Sequence, residues 1–402
     1  MVFVQFTINH TPEFNGNNYS DFTLIFSPHA NRFGKNMHPD LPFLISLTQV
    51  PQVGPIHART LLQHFGSAEE IFNSSIHALE MIEGIGKFRA HSIKSFRDFA
   101  DAEKEIVFLQ RYNIRAFTIH DADYPKRLLS AYDAPVLLFY KGSADLNTKR
   151  IISIVGTRRN SEYGKLITEK IIRELEPYDV MIVSGLAFGI DAIAHKTALK
   201  QGIPTVAVLA HGLASLYPPE HSQLSKQMLN QGGLITEYIS HVKADKHQFP
   251  VRNRIVAGIS DCTIVTETAV KGGSMITADL ANGYFREVFA MPGRTTDFKS
   301  AGCNWLIRNN QATLLENVQD LVKLMGWEEK KSPLEKSQDD IIILFNEVEQ
   351  RIMDLLKERE QMHIDVINAT TGFPGSRNAG ALLELEVRDL ICSMPGRIYR
   401  LK

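Results

Sequence analysis

The sequence predicts an α/β fold, a mostly parallel sheet carried between two smaller domains, on three observations. From about Ile106 to Met325 short β-branched runs alternate with helical stretches. Ahead of them, glycine-bearing hairpins separate apolar helices. Behind them, three amphipathic segments lead into a strand pair. The chain has 402 residues, too many for one ordinary core, so two or three domains are expected. Hydrophobic residues at 44% and charged residues at 22% fit a soluble globular protein and argue against a disordered chain or a coiled coil. The formal net charge is −1, so bulk charge draws the protein neither to nucleic acid nor to an anionic membrane. Any affinity for nucleic acid must then come from local basic clusters.

Residues 1–36 mix Asn, Gly and Pro with isolated apolar positions and show no useful periodicity. They read as a disordered leader, with Met37 as an alternative natural start. A helical domain is expected over 37–105. It contains the hairpins Val50-Pro51-Gln52-Val53-Gly54-Pro55 and Ile82-Glu83-Gly84-Ile85-Gly86-Lys87. A glycine hairpin leaves N–H groups free at the start of the next helix, where a phosphate can bind. The second copy, with Lys87 after Gly86, resembles the helix-hairpin-helix motif of DNA-binding proteins; glycine turns in a plain helical bundle are the alternative.

The central domain, 106–325, has six strand candidates: Ile151–Thr157, Val180–Ala187, Thr205–Gly212, Leu234–Tyr238, Cys262–Thr268 and Val288–Pro292. This is a Rossmann-like pattern, in which ligands bind at the carboxyl ends of the strands. Residues 326–342 are charged and read as a linker. The last domain, 343–402, comprises helices over Ile343–Lys357, His363–Thr371 and Ser376–Leu390 and a strand pair over Ile391–Leu401 turning at Pro395-Gly396. That is the layout of a winged helix. The acids in its third helix favour contact with protein over DNA.

No apolar run approaches the roughly 18 residues of a membrane span, and the N-terminus lacks a basic start before an apolar stretch. Cys262, Cys303 and Cys392 are far apart with no metal-type or redox-type spacing, so no metal site is expected and a cytoplasmic location fits.

Four segments carry chemistry. The first strand ends in Gly156-Thr157-Arg158-Arg159, opening a helix, which suits an anion. It is not an ATP-type phosphate loop, since Leu166 stands where a magnesium-holding hydroxyl would be, and it lacks the dinucleotide fingerprint. No nucleotide cofactor is therefore expected. The second strand ends in Ser184-Gly185, followed by Asp191 and His195 at i and i+4, read as a structural hydrogen-bonded pair ahead of a metal half-site or an acid–base couple. Phe249-Pro250-Val251-Arg252-Asn253-Arg254 is the densest basic-aromatic cluster, with arginines for phosphates and Phe249 for a stacked base. Lys271-Gly272-Gly273-Ser274 is a third strand-to-helix glycine turn. Strand ends of one sheet would bring these turns to a common edge.

In this order, Asp123-Tyr124-Pro125, IVGTR, SGLAFGIDAIAH, GGLITEY, FPVRNRIVAG, ETAVKGGSMITA and MPGR with GCNWLI closely resemble the DNA-processing protein A family (DprA, also called Smf), over about residues 120–315. The resemblance implies a non-catalytic protein that binds single-stranded DNA, forms a homodimer and helps load the RecA recombinase onto incoming strands in natural transformation. Carried over by position, Arg158, Arg252, Arg254 and the Gly272-Gly273-Ser274 turn would line the DNA pocket. Dimer or recombinase contacts would fall on Asn304, Leu306, Ile307 and Arg308, although Asn309-Asn310-Gln311 stands where relatives usually show a glycine. The fold is also similar to that of nucleoside-monophosphate phosphoribohydrolases. Their glycine turn continues into G-T-x-x-E, and here that carboxylate is missing. Arg158→Ala and Arg252→Ala are both expected to weaken binding without unfolding the protein.

Overall fold

The computed structural model describes residues 38–327, 345–359, 361–388 and 390–401. The predicted leader, Met37 and most of the predicted linker lie outside the described residues. The chain divides into two compact units, up to Lys330 and from Lys331.

Among its described residues the first unit opens with six helices, α1 Leu41–Gln49, α2 Pro55–Phe65, α3 Ala68–Asn73, α4 Ile76–Glu80, α5 Gly86–Ser95 and α6 Ala100–Arg111. Both predicted hairpins are present, between α1 and α2 and between α4 and α5. In the second, Gly84 and Gly86 take φ of 81° and 60°, a left-handed conformation that glycine enters without a Cβ penalty. Arg89 ties the hairpins together, donating to the carbonyls of Gln52 (3.1 Å) and Gly84 (3.0 Å). Side-chain oxygens of Ser67 and Ser75 cap α3 and α4.

Nine strands follow: β1 Arg115–Thr118, β2 Leu137–Gly142, β3 Arg150–Gly156, β4 Val180–Ser184, β5 Thr205–Val208, β6 Gly233–Thr236, β7 Cys262–Glu267, β8 Glu287–Ala290 and β9 Thr313–Leu314. They form one sheet in the order β1-β2-β6-β5-β4-β3-β7-β8-β9. Pairings from β6 through β9 are parallel, and β1 and β2 add an antiparallel edge. All six predicted runs are strands, and each ends one to four residues before its predicted limit. The edge strands β1 and β2 and the two-residue β9 were not among the predicted runs; β2 lies in the Tyr140-Lys141-Gly142 segment, whose pairing depends on long-range contact with β6.

The helices are α7 Lys126–Leu129, α8 Glu162–Glu174, α9 Ile190–Lys200, α10 Ser222–Gln231, α11 Gln248–Gly258, α12 Gly273–Gly283, α13 Ala301–Arg308 and α14 Val318–Met325. Alternate residues of each central strand serve opposite faces. Ile152, Ile154, Ile182 and Ile264 pack with Ile171 and Ala194 of α8 and α9. Ile151, Val155, Val183 and Val265 join a core that also buries Ile255 of α11, Ala278 of α12 and Leu44, Leu61 and Ile93 of the hairpin helices. The hairpins thus share a core with the sheet. Because β3 lies between β4 and β7, the winding reverses there and opens a crevice at the carboxyl ends of these strands.

The second unit holds α15 Glu347–Glu358, α16 Ile364–Thr371 and α17 Gly375–Val387, with β10 Met362–His363, β11 Ile391–Met394 and β12 Ile398–Leu401 in a sheet of order β10-β12-β11. This is a winged helix. A capping box between Asn346 and Glu349 starts α15, and the wing turns where Gly396 and Arg397 take positive φ. On α17, Leu383 and Val387 are exposed, and Arg388 just past its end is paired with Glu349 and Glu384.

Candidate nucleic-acid interface

Three loops meet in the crevice. The loop after β3 is anchored on β7: the Thr157 N–H donates to the Glu267 carbonyl (2.7 Å), and the Ser161 N–H and hydroxyl donate to the Glu267 carboxylate (2.8 and 2.5 Å). Both carboxylate oxygens of the fully buried Glu267 are therefore engaged in holding this loop. The loop after β4 folds around Asp191, whose carboxylate accepts from the N–H groups of Gly185 (3.2 Å) and Ala187 (3.3 Å). Arg252 of α11 crosses beneath it, donating to the carbonyls of Gly185 (2.7 Å) and Val208. A Cβ on Gly185 would collide with this guanidinium, which the two carbonyls hold in place. The loop after β7 delivers Gly272 and Gly273 to the start of α12, where they line the crevice with Ser274. There Ser274 is buried, and its hydroxyl has no partner among the described residues.

The result is a cleft of about 310 Å³. Ten predicted residues line it: Gly156, Thr157, Arg158, Gly185, Phe249, Arg252, Asn253, Gly272, Gly273 and Ser274. Arg158 is exposed and lies over the Phe249 ring, 5.0 Å from its centroid, and the half-exposed Tyr217 ring stands 5.7 Å from the Phe249 ring, tilted against it. Lys246 also lines the cleft. The sequence reading missed Lys246 and Tyr217; a lysine three residues before Phe249 was the available signal for the first, while Tyr217 arrives from a distant loop and carried none.

Three predicted residues stand elsewhere. Ser184 is fully buried, with its hydroxyl donating to the Ile154 carbonyl (2.6 Å). Arg254, 6% exposed, is turned away from the cleft, its guanidinium bonded to the Glu237 carboxylate and the Asp133 carbonyl. Lys271 is exposed on the loop but does not line the cleft. Arg252 lines it as a floor: at 4% exposure it holds two loops together and offers a phosphate little direct contact. Of the predicted contact residues on α13, Leu306 is 0% exposed and belongs to the core. Asn304 is half-buried and bonded to the backbone of Gly293 on both its side-chain atoms (3.1 and 3.0 Å), so Ile307 and Arg308 are what α13 presents.

Asp191 and His195 do not pair with each other. Asp191 holds the Gly185 loop, and His195 Nδ1 meets the Thr205 hydroxyl at 2.7 Å. Burial raises the Asp191 pKa against the opposing pull of Arg252. Burial also pushes the Arg252 pKa down to about 10, with Asp191 acting against that, so the guanidinium stays charged near neutral pH. Burial, then His221 and Arg252, lower the His195 pKa from 6.5 to about 3. Between those values only the unfolded chain takes up this proton, so the contribution is intact above pH 6.5 and is lost as pH falls towards 3. His195→Asn is expected to remove about 1 kcal/mol of the stability difference between pH 7 and pH 5.5. Denaturant unfolding at both pH values checks this; an unchanged difference would exclude His195 as its source.

Among the described residues no group of three or more His, Cys, Asp or Glu is placed to hold a metal, and no helix is long and apolar enough to cross a membrane.

Residues 115–326, the sheet and its cleft, match the DNA recombination-mediator protein A family. The chain belongs to that family. Residues 44–103 match a SAM-like helix-hairpin-helix tandem and 335–397 the DprA winged helix domain, so all three parts of the DprA architecture are present. Protein Smf of Synechocystis sp. is 31% identical over 89% of this chain and 98% of its own length. DNA processing protein DprA of Streptococcus pneumoniae is 39% identical over 56% of this chain and 84% of its own. The X-ray structure of the Streptococcus pneumoniae DprA superposes with a TM-score of 0.62 at 33% identity, covering 71% of this chain and 98% of that one. A solved DprA from Helicobacter pylori, described for its single-stranded DNA binding mode, is 30% identical with a TM-score of 0.49, over 54% of this chain and 98% of its own.

Proposed function

We propose that this member of the DprA family binds single-stranded DNA in the cleft at the ends of β3, β4 and β7, and acts in DNA processing during transformation and recombination. The observation that carries this reading is the stack of Arg158 on Phe249 above the glycine turn that opens α12. Arg158 and Lys246 meet phosphates together with the free N–H groups of α12, and Phe249 and Tyr217 offer ring faces to bases. The net charge of −1 makes this local concentration of cations the source of affinity. The neighbouring acid, Asp191, is offset by Arg252 and already bonded to loop N–H groups, so it repels phosphate little. The site has no assigned catalytic role: Glu267, the carboxylate nearest a hydrolase-type position, is committed to Ser161. On this reading the protein works as a homodimer and passes the coated strand to the RecA recombinase, with Ile307 and Arg308 of α13 as contact residues.

The test is a salt titration with a labelled single strand. Arg158→Ala is expected to weaken binding at low salt and to lower the log–log salt slope by about one or less. An unchanged affinity and slope would remove Arg158 from the site. Free base released from nucleoside monophosphates at a turnover rate would favour the hydrolase instead.

A further inference from the structure

A second cavity of about 300 Å³ lies between the first helical hairpin and the sheet. One wall is Thr48 at the end of α1 with Val53 and Pro55 of the hairpin. The other is Tyr238, Val242 and Gln248, from the segment joining β6 to α11. The lining has the character of a small-molecule or base pocket, apolar surface with a few polar groups. Beneath it, Glu237 has one carboxylate oxygen bound to Arg254, while the other is buried with no hydrogen-bond partner among the described residues.

This cavity adjoins the cleft. Gln248 lines the cavity and its chain neighbour Phe249 lines the cleft, both in the first turn of α11. Tyr238 is near enough to Arg252, the cleft floor, for the two to shift each other's pKa. The exposed Lys243 and Lys246 lie on the segment between Val242 and Gln248, giving a phosphodiester chain cationic support as it passes from one to the other.

We propose that the cavity under the first hairpin receives a nucleobase of the same single strand that occupies the cleft. This rests on the cleft reading above. The base enters between the hairpin and Tyr238 and stacks on the tyrosine ring, with Thr48 and Gln248 at the polar rim of the pocket. Every base has a face that can stack, so the pocket tolerates any sequence. The hairpin would then serve as one jaw of a base pocket and not as a duplex phosphate clamp.

The experiment uses the full chain and oligonucleotides carrying 2-aminopurine at successive positions. Thr48→Phe and Val242→Phe fill the cavity from opposite walls, and both are checked for an unchanged melting temperature; whichever keeps it is used. In the unsubstituted protein, one position besides those stacked at Phe249 is expected to be strongly quenched. Filling the cavity should abolish that response and weaken strand binding about tenfold, the loss of one base stack. If the filled variants keep both the quenching and the affinity while Arg158→Ala weakens binding, this inference is wrong and the cleft reading stands. If the unsubstituted protein binds no single strand, both fall.

Discussion

Arg252→Ala is expected to destabilise the first unit by about 3–5 kcal/mol, the range for leaving a buried charge and buried hydrogen-bonding groups uncompensated. Two consequences add up in that substitution. The Gly185 and Val208 carbonyls lose their donor, and Asp191, buried and held near charge balance by this guanidinium, is left without it. Strand binding should disappear with the loop geometry, so the earlier expectation that this arginine could be removed without unfolding the protein does not hold at 4% exposure. Arg252→Lys restores the charge but not the two-carbonyl fork, and should recover only part of the stability. Urea unfolding followed by circular dichroism measures it; a loss below about 1 kcal/mol would mean that the arginine is not the keystone of the cleft floor.

The second large effect is on binding. Replacing Phe249 and Arg158 together by alanine should weaken single-strand affinity by about 2–4 kcal/mol, combining a lost base stack with a lost phosphate contact. The two single substitutions should not sum to the double, because Arg158 rests on the Phe249 ring and loses its position when the ring is removed. Fluorescence anisotropy on the four proteins of the cycle gives the coupling. Additivity within about 0.3 kcal/mol would show that the stacked pair does not act as a unit on the strand.

Much of the architecture was legible along the chain because its signals are local. Six β-branched runs bounded by glycine turns mark the strands, and three of those turns mark the crevice, since a chain leaving a parallel strand for a helix does so at one sheet edge. The edge pair β1 and β2 escaped because neither is a β-branched run: Arg115–Thr118 has one such residue and Leu137–Gly142 has none. Asp191 and His195 show another limit. Their spacing is that of a pair on one helix face, yet each is drawn to a backbone or hydroxyl partner supplied by other elements.

What the sequence alone determined was the order of the parts, the DprA-type motifs and the convergence of three glycine turns, all of them consequences of local turn chemistry and hydrophobic period. Only the tertiary structure decided what each basic residue does. Arg252 and Arg254 look equivalent in Arg252-Asn253-Arg254, but two residues on a helix are about 200° apart around its axis. One therefore floors the cleft while the other is locked behind it to Glu237. Among the described residues lining the cleft, the exposed cations at the strand ends are Arg158 and Lys246, the latter just ahead of the Phe249 cluster.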